Sequence, residues 1–229
     1  MNMFSNIRTF FSGLTTDPAG TLISFGFLAL AILISLILHE CAHGWVALKC
    51  GDPTAKWAGR LTLDPRKHLD PIGTICMIFL RVGWAKPVPI NPRNFRHYRR
   101  DYILVSFAGI AVNFLLFLIG LAAYVLLAKH IHSYSDVWYY AIQFTVMLAQ
   151  INIGLAIFNL IPVPPLDGYR ILNQFAFGGR LDQSMNPQTM MIIRYAFLAL
   201  CVTGVLSPAL SKVIGSIFNF FLNLFVKIL

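Results

Sequence analysis

The stretch AGTLISFGFLALAILISLIL, residues 19–38, contains no charged side chain and runs directly into HECAH, residues 39–43. About 20 helical residues rise roughly 30 Å, which is the thickness of the hydrocarbon core of a bilayer. The helical pattern continues to Leu48 and ends before the Gly-Asp-Pro sequence at 51–53. The sequence therefore predicts a transmembrane helix over residues 19–50, whose polar end lies at or just inside one membrane surface.

The composition of the whole chain is typical of a membrane protein. Of its 229 residues, 57% are hydrophobic and only 12% are charged, whereas about 25% of the residues in a soluble domain are charged. This balance excludes a soluble globule, a disordered chain and a collagen-like chain. The four cysteines form no C-x-x-C pair, so we predict no disulfide framework.

Four further apolar runs are long enough to be spanning candidates. We therefore predict an all-α polytopic membrane protein with about five to six transmembrane helices, in which residues 1–229 form one integral-membrane domain. Residues 1–18 are expected to form an N-terminal interfacial segment. The four further runs are residues 102–128, 137–161, 190–206 and 209–226.

The loop between the first two predicted spans, residues 51–101, carries most of the positive charge. Eleven basic and four acidic side chains lie between Lys49 and Asp101, in a chain whose net charge is +9. Such loops are typically cytoplasmic, so membrane topology explains the charge without a nucleic-acid partner. Within this loop the run TICMIFL, residues 74–80, is β-prone and too short to span, which predicts a small membrane-associated β-hairpin.

His39 and His43 are one helical turn apart, with Glu40 beside them, in the pattern H-E-x-x-H. Two imidazoles at this spacing can bind one metal ion, and the glutamate can act on a metal-bound water. A chance match in a chain of this composition is expected roughly once in a thousand. Glu40 is also the only glutamate in the chain, and ionisable groups within membrane spans are usually functional. We interpret the motif as a metal site.

A catalytic zinc ion usually has three protein ligands, of which the third is a histidine, glutamate or aspartate. Asp167 is the leading candidate because it closes NLIPVPPLDG, residues 159–168, on the side of the membrane where the histidine pair lies. The alternative is that Asp167 is an ordinary turn or helix-capping residue, which is common for aspartate before glycine. The other histidines lie in predicted loops: His68, His97, His130 and His132.

Taken together, these motifs resemble the site-2 protease family of intramembrane zinc metalloproteases, peptidase family M50. The similarity covers about residues 20–200 and is closest to the compact bacterial branch without PDZ or CBS domains. Ile110 stands where many members have proline, and Asp64 where asparagine is common. The matching motifs are HECAH at 39–43, GRLTLDPRKHLDPIGT at 59–74, Gly109-x-x-x-Asn113 and NLIPVPPLDG at 159–168.

The resemblance implies one Zn²⁺ per chain, bound by His39, His43 and Asp167, with Glu40 as the general base that activates a zinc-bound water. It also implies substrate-binding roles for Asn159 and Asn113, although a buried asparagine in a span often only hydrogen-bonds a neighbouring helix. The implied activity is that of an intramembrane endopeptidase that cleaves within or near transmembrane segments. Such cleavage serves regulated intramembrane proteolysis or the clearance of signal-peptide remnants.

The expected partners are a single-span membrane protein or signal-peptide-like substrate and the lipid bilayer, with no nucleic acid. The resemblance implies a multi-pass protein of the bacterial inner membrane, with its active site toward the cytoplasm. Two other functions are possible on these residues, a metal-ion transporter and a proteolytically inactive scaffold that binds membrane helices. The lack of visible inverted repeats argues against the first, and the intact H-E-x-x-H motif against the second.

Overall fold

The computed structural model describes residues 12–73, 86–130 and 135–229. Regular structure in these ranges is entirely helical, with four long helices and several short ones. A 3₁₀ turn, Pro92–Asn94, precedes the second long helix. In chain order the helices are α1 (Pro18–Lys49), α2 (Thr54–Trp57), α3 (Pro65–His68), α4 (Tyr98–His130), α5 (Asp136–Asn159), α6 (Asp167–Phe177), α7 (Arg180–Ser184), α8 (Pro187–Val202) and α9 (Ser207–Ile228).

The prediction of five to six transmembrane helices with a β-hairpin was wrong. In the described ranges there is no strand, and only α1, α4, α5 and α9 are long and apolar enough to cross a membrane. The run 190–206 overlaps α8, whose 16 residues rise only about 24 Å, before the chain turns at Gly204 with a φ of 75°. The strand-like run 74–80 and residues 1–11 of the interfacial segment lie outside the described residues. The all-helical, multi-pass character agrees with expectation.

Helix α4 lies at the centre of the bundle and packs against α1, α5, α6 and α9. Its C-terminal half contributes to an apolar core in which the Phe117 ring contacts Phe218 and Phe221 of α9 at centroid distances of 6.0 and 5.6 Å. Close packing of this kind joins α9 to the bundle. The fully or almost fully buried members of this core are Phe117, Leu121, Ala149 and Ile153.

Buried polar side chains align α5 with α1. The Asn152 amide donates to the Ser35 hydroxyl at 2.8 Å, and both side chains are 0% exposed. Nearer the start of both helices, Gln143 donates to Ser24 at 3.0 Å. Such hydrogen bonds between helices satisfy polar groups that lipid cannot. The Ser35 contact lies one helical turn before His39.

Asp52 joins the loop after α1 to the segment that leads into α4. Its carboxylate is fully buried and accepts hydrogen bonds from the Asn91 backbone N–H at 2.7 Å, from the Asn94 amide at 2.8 Å and from Thr54. Burial by itself raises the pKa of the Asp52 carboxyl, but these hydrogen bonds outweigh it and hold the pKa below its ordinary value. The ionised side chain therefore stabilises this loop at neutral pH.

Candidate metal centre

His39, His43 and Asp167 come together in a buried cluster. The Nε2 atoms of the two histidines are 3.0 Å apart, and Asp167 Oδ2 lies 3.4 Å from His39 Nε2 and 3.2 Å from His43 Nε2. The three side chains, which the sequence places up to 128 residues apart, offer ligand atoms within 4.8 Å of one another. Their residues are only 5–7% exposed. This is the arrangement expected for one metal ion.

Helix α1 supplies both imidazoles on one face, and the first residue of α6 supplies the carboxylate. Prolines at 162, 164 and 165 prevent α5 from continuing, so the chain reverses before α6 begins. At Gly168 a Cβ atom would lie 2.2 Å from the Leu160 carbonyl oxygen, so only glycine allows α6 to start this close to the end of α5. Asp167 is not the N-cap residue of α6, which is Leu166. The capping alternative therefore does not describe its position.

The donor set fits Zn²⁺. Asp167 Oδ2 is buried, and none of the described residues makes a hydrogen bond of good geometry to it, although two imidazole nitrogens lie nearby. A buried anionic oxygen without a donor is costly, and a cation between it and the two nitrogens would remove that cost. Two imidazoles and one carboxylate form a known catalytic zinc ligand set. A Cβ atom at Gly109 would lie 2.5 Å from His39 Cε1 and from His43 Nε2, so α4 closes directly over both rings.

Glu40 is held by a backbone contact that sequence reasoning missed. Its Oε2 accepts a hydrogen bond of 2.8 Å from the Val88 N–H. Val88 lies between Pro87 and Pro89, so it supplies the only backbone N–H of that tripeptide. The Pro-Val-Pro pattern thus leaves one donor, and that donor orients the glutamate.

The segment that carries Val88 is itself anchored to the preceding loop. The Lys86 backbone N–H donates to the His68 carbonyl oxygen at 2.8 Å, and Arg60 Nη2 donates to the Lys86 carbonyl oxygen at 2.7 Å. His68 is fully buried, and its Nε2 donates to the Thr62 carbonyl oxygen at 2.7 Å. His68 therefore acts within the loop, and its contacts help to place the segment beside Glu40.

The two predicted substrate-binding asparagines lie in different surroundings. Asn113 is 0% exposed, and its Nδ2 is 3.1 Å from His39 Nδ1. Asn159 is partly buried near the end of α5 and donates to the Leu155 carbonyl oxygen of its own helix at 3.0 Å. The structure thus brings Asn113 to the metal cluster, whereas the contact of Asn159 is local. Their roles toward substrate stay predictions.

Two arginines not predicted at the site interact with residues of α6, the helix that carries Asp167, and one of them, Arg170, belongs to that helix. Arg170 Nη1 lies 3.6 Å from Asp167 Oδ1. Arg99 of α4 donates to the Gln174 and Phe175 carbonyl oxygens at 2.8 and 2.6 Å, which satisfies acceptors at the C-terminal end of α6. Arg99 therefore holds α6 near its C-terminal end, whereas the Arg170 contact lies within α6. Arg99 and Gln174 are 75 positions apart, so the sequence gives no local signal of this contact.

Comparisons with known proteins show the family. The family model described as Peptidase family M50 matches residues 128–204. "Putative zinc metalloprotease YwhC" of Bacillus subtilis is 40% identical over 212 residues, which cover 89% of this chain and 94% of the relative. The chain belongs to peptidase family M50. "Putative zinc metalloprotease Rip2" of Mycobacterium tuberculosis is 34% identical over 167 residues, which cover 70% of this chain and 61% of that relative. No solved structure matches the chain.

Membership of family M50 confirms the predicted family, enzyme class and cofactor. The protein is a multi-pass membrane zinc metalloprotease and a hydrolase, and its cofactor is Zn²⁺. Its buried histidine–aspartate cluster could bind this metal.

Proposed function

We propose that this metalloprotease is an intramembrane endopeptidase that hydrolyses peptide bonds within or near the transmembrane segments of its substrates. The observation that carries the proposal is that two of the clustered ligands lie on a spanning helix. His39 directly follows the uncharged stretch 19–38 and lies ten residues before Lys49, the last residue of α1. A site at this place on a spanning helix favours cleavage within or beside the spanning part of a substrate.

The residues of the site divide the chemistry between them. Bound zinc supplies a Lewis acid for the scissile carbonyl and lowers the pKa of water. His39, His43 and Asp167 would hold it. Glu40 accepts the proton of the attacking water and later gives one to the leaving amine. The Val88 N–H orients Glu40 by donating to its Oε2.

The active site opens toward the cytoplasm in this proposal. The basic residues between Lys49 and Asp101 favour a cytoplasmic loop, and the Val88 segment that contacts Glu40 belongs to it. Lys129, near the end of α4, and Asp136, at the start of α5, then lie on the other side. Water then reaches Glu40 from the cytoplasmic side, and the protein resides in the bacterial inner membrane.

The substrate is a single-span membrane protein or a signal-peptide-like segment. A helical substrate hides its carbonyl groups in hydrogen bonds, so it must be extended before it is cut. Asn159 would hydrogen-bond the backbone of the extended segment. Asn159→Leu should then slow cleavage without loss of zinc. Loss of zinc from this variant would contradict the substrate-binding role.

Glu40→Gln tests the proposed mechanism. We expect this variant to keep its zinc and to cleave a model single-span substrate in proteoliposomes about 10²- to 10⁴-fold more slowly than wild type. Mass spectrometry of the wild-type products should place the cut within or beside the apolar segment. Cleavage by Glu40→Gln at the wild-type rate would contradict the role of Glu40, and cuts confined to soluble regions would contradict the intramembrane activity.

A further inference from the structure

One face of α4 contacts both imidazoles at the ring nitrogen that points away from the ligand cluster. His43 Nδ1 lies 2.7 Å from the Val105 carbonyl oxygen, and His39 Nδ1 lies 3.1 Å from Asn113 Nδ2. Val105, Gly109 and Asn113 follow one another at intervals of four residues, so they share a helical face. This face holds each ring by Nδ1 and leaves each Nε2 beside the Asp167 carboxylate.

The two Nδ1 contacts differ in their hydrogen-bonding options. A carbonyl oxygen can only accept, so Val105 keeps the proton of neutral His43 on Nδ1 and leaves its Nε2 lone pair for a metal. The Asn113 amide can either donate or accept. While Asn113 Nδ2 donates, the proton of neutral His39 is on Nε2, 3.0 Å from His43 Nε2. His39 cannot bind a metal through a protonated Nε2.

The other end of the Asn113 amide has no partner in the part of the chain that the structure describes. Asn113 Oδ1 is buried and makes no hydrogen bond to a described residue, and Asn113 is 0% exposed. The two ends of an amide occupy nearly the same volume, so rotation of the group exchanges Oδ1 and Nδ2 without a change of packing. After this exchange Oδ1 can accept from His39 Nδ1–H, and the lone pair of His39 Nε2 becomes available.

We infer that Asn113 is a positioning residue for the metal, which accepts a hydrogen bond from His39 Nδ1–H through Oδ1 when zinc binds. Metal-bound histidines usually donate their second ring N–H to an acceptor of this kind, which sets the tautomer and the ring orientation. In this role Asn113 acts through His39. The inference rests on the proposed role of His39 as a zinc ligand.

Two substitutions at Asn113 test the inference by zinc affinity. Asn113→Leu removes the hydrogen bond at similar volume, and Asn113→Asp keeps the shape but can only accept. Zinc affinity is measured on the purified full chain in detergent, by competition with a chromogenic chelator at one fixed pH. We expect Asn113→Leu to bind zinc about 10- to 100-fold more weakly. Asn113→Asp should bind zinc at least as tightly as wild type.

Asn152→Leu is the matched control. Asn152 is also 0% exposed, and it also hydrogen-bonds α1, at Ser35, one turn before His39. Its replacement removes an interhelical hydrogen bond without touching an imidazole. We expect its zinc affinity to equal that of wild type. Equal weakening by Asn113→Leu and Asn152→Leu would mean that general packing, and not the contact with His39, is responsible, and would overturn the inference.

The aspartate variant decides between acceptor and donor. If Asn113→Asp weakens zinc binding as much as Asn113→Leu, or if Asn113→Leu binds zinc as wild type does, the inference is overturned. If Asn113→Leu does not fold, the comparison of Asn113→Asp with wild type decides alone, because a pure acceptor must retain affinity and a lost donor must reduce it. Zinc affinity is measured separately from cleavage. If the inference about Asn113 fails, the proposed proteolysis is unaffected. If no proteolysis is found, the zinc affinities can still be compared.

Discussion

The two halves of α4 pack against different kinds of side chain: imidazoles in the N-terminal half and phenylalanine rings in the C-terminal half. Its N-terminal half presents a carbonyl oxygen, a glycine and an amide, from Val105, Gly109 and Asn113, to the imidazoles of α1. Its C-terminal half begins one turn later with Phe117 and packs against aromatic rings of α9. One helix therefore places the metal ligands with its first half and joins the bundle with its second.

The physical difference between the halves makes their effects separable. Helices in a membrane gain little from the hydrophobic effect against one another, so the phenylalanine cluster stabilises the bundle by close packing. The N-terminal half instead provides hydrogen bonds and close approach to the imidazoles of His39 and His43. Substitutions in the first half should change zinc affinity, and substitutions in the second half should change the free energy of unfolding.

Phe117→Ala should have the largest effect on stability. The side chain is 0% exposed, and the cavity left by its removal should lower the free energy of unfolding by about 3–5 kcal/mol. Unfolding of the protein in mixed micelles, with increasing denaturing detergent, measures this change. Zinc affinity of the folded fraction should not change. A fall in that affinity as large as the fall for a change near the imidazoles would show that the two halves are coupled.

Gly109→Ala should cause the largest loss of zinc affinity. A Cβ atom would lie 2.5 Å from atoms of both imidazoles, so α4 or the rings must move, and zinc affinity should fall at least about 100-fold. Gly154→Ala is the control, because a Cβ atom there would meet only Ile214, at 3.9 Å. Chelator competition on both variants measures the difference. Unchanged zinc binding in Gly109→Ala would contradict the close approach of α4.

Val88→Pro sharpens the comparison by separating the general base from the metal ligands. It removes the N–H that Glu40 Oε2 accepts, and a hydrogen bond to a charged group contributes about 1.5–3 kcal/mol. We expect the cleavage rate to fall about 10-fold or more while zinc affinity is retained. Val88→Ala keeps the N–H and should cleave faster than Val88→Pro. Equal rates in the two variants would show that the hydrogen bond does not orient Glu40.

The sequence was informative wherever spacing alone carries the chemistry. The interval of four residues between His39 and His43 predicted two imidazoles on one face, and the structure places them there. Asp167 was the leading candidate for a third ligand because of its side of the membrane, and the structure brings it to the pair. Asn113 was predicted as a site residue from a family motif, and the structure adds its contact with His39.

The sequence failed where a feature depends on helix ends or distant contacts. The apolar run 190–206 was counted as a span, yet α8 ends at Val202 because the chain turns there. The contact of Val88 with Glu40 joins residues 48 positions apart. The spacing of residues along a helix or strand does not predict a contact over such a distance. Arg99 was one of many basic residues, and its role at the end of α6 depends on how two helices meet.

The central claim is that His39, His43 and Asp167 bind one zinc ion, and zinc content of the purified protein tests it most directly. Wild type is compared with His39→Ala, Asp167→Ala and the control Asp64→Ala, whose aspartate is exposed at the start of α3. We expect zinc to be retained by wild type and Asp64→Ala, and to be lost or weakened in the other two variants. Full retention of zinc by Asp167→Ala would contradict the claim.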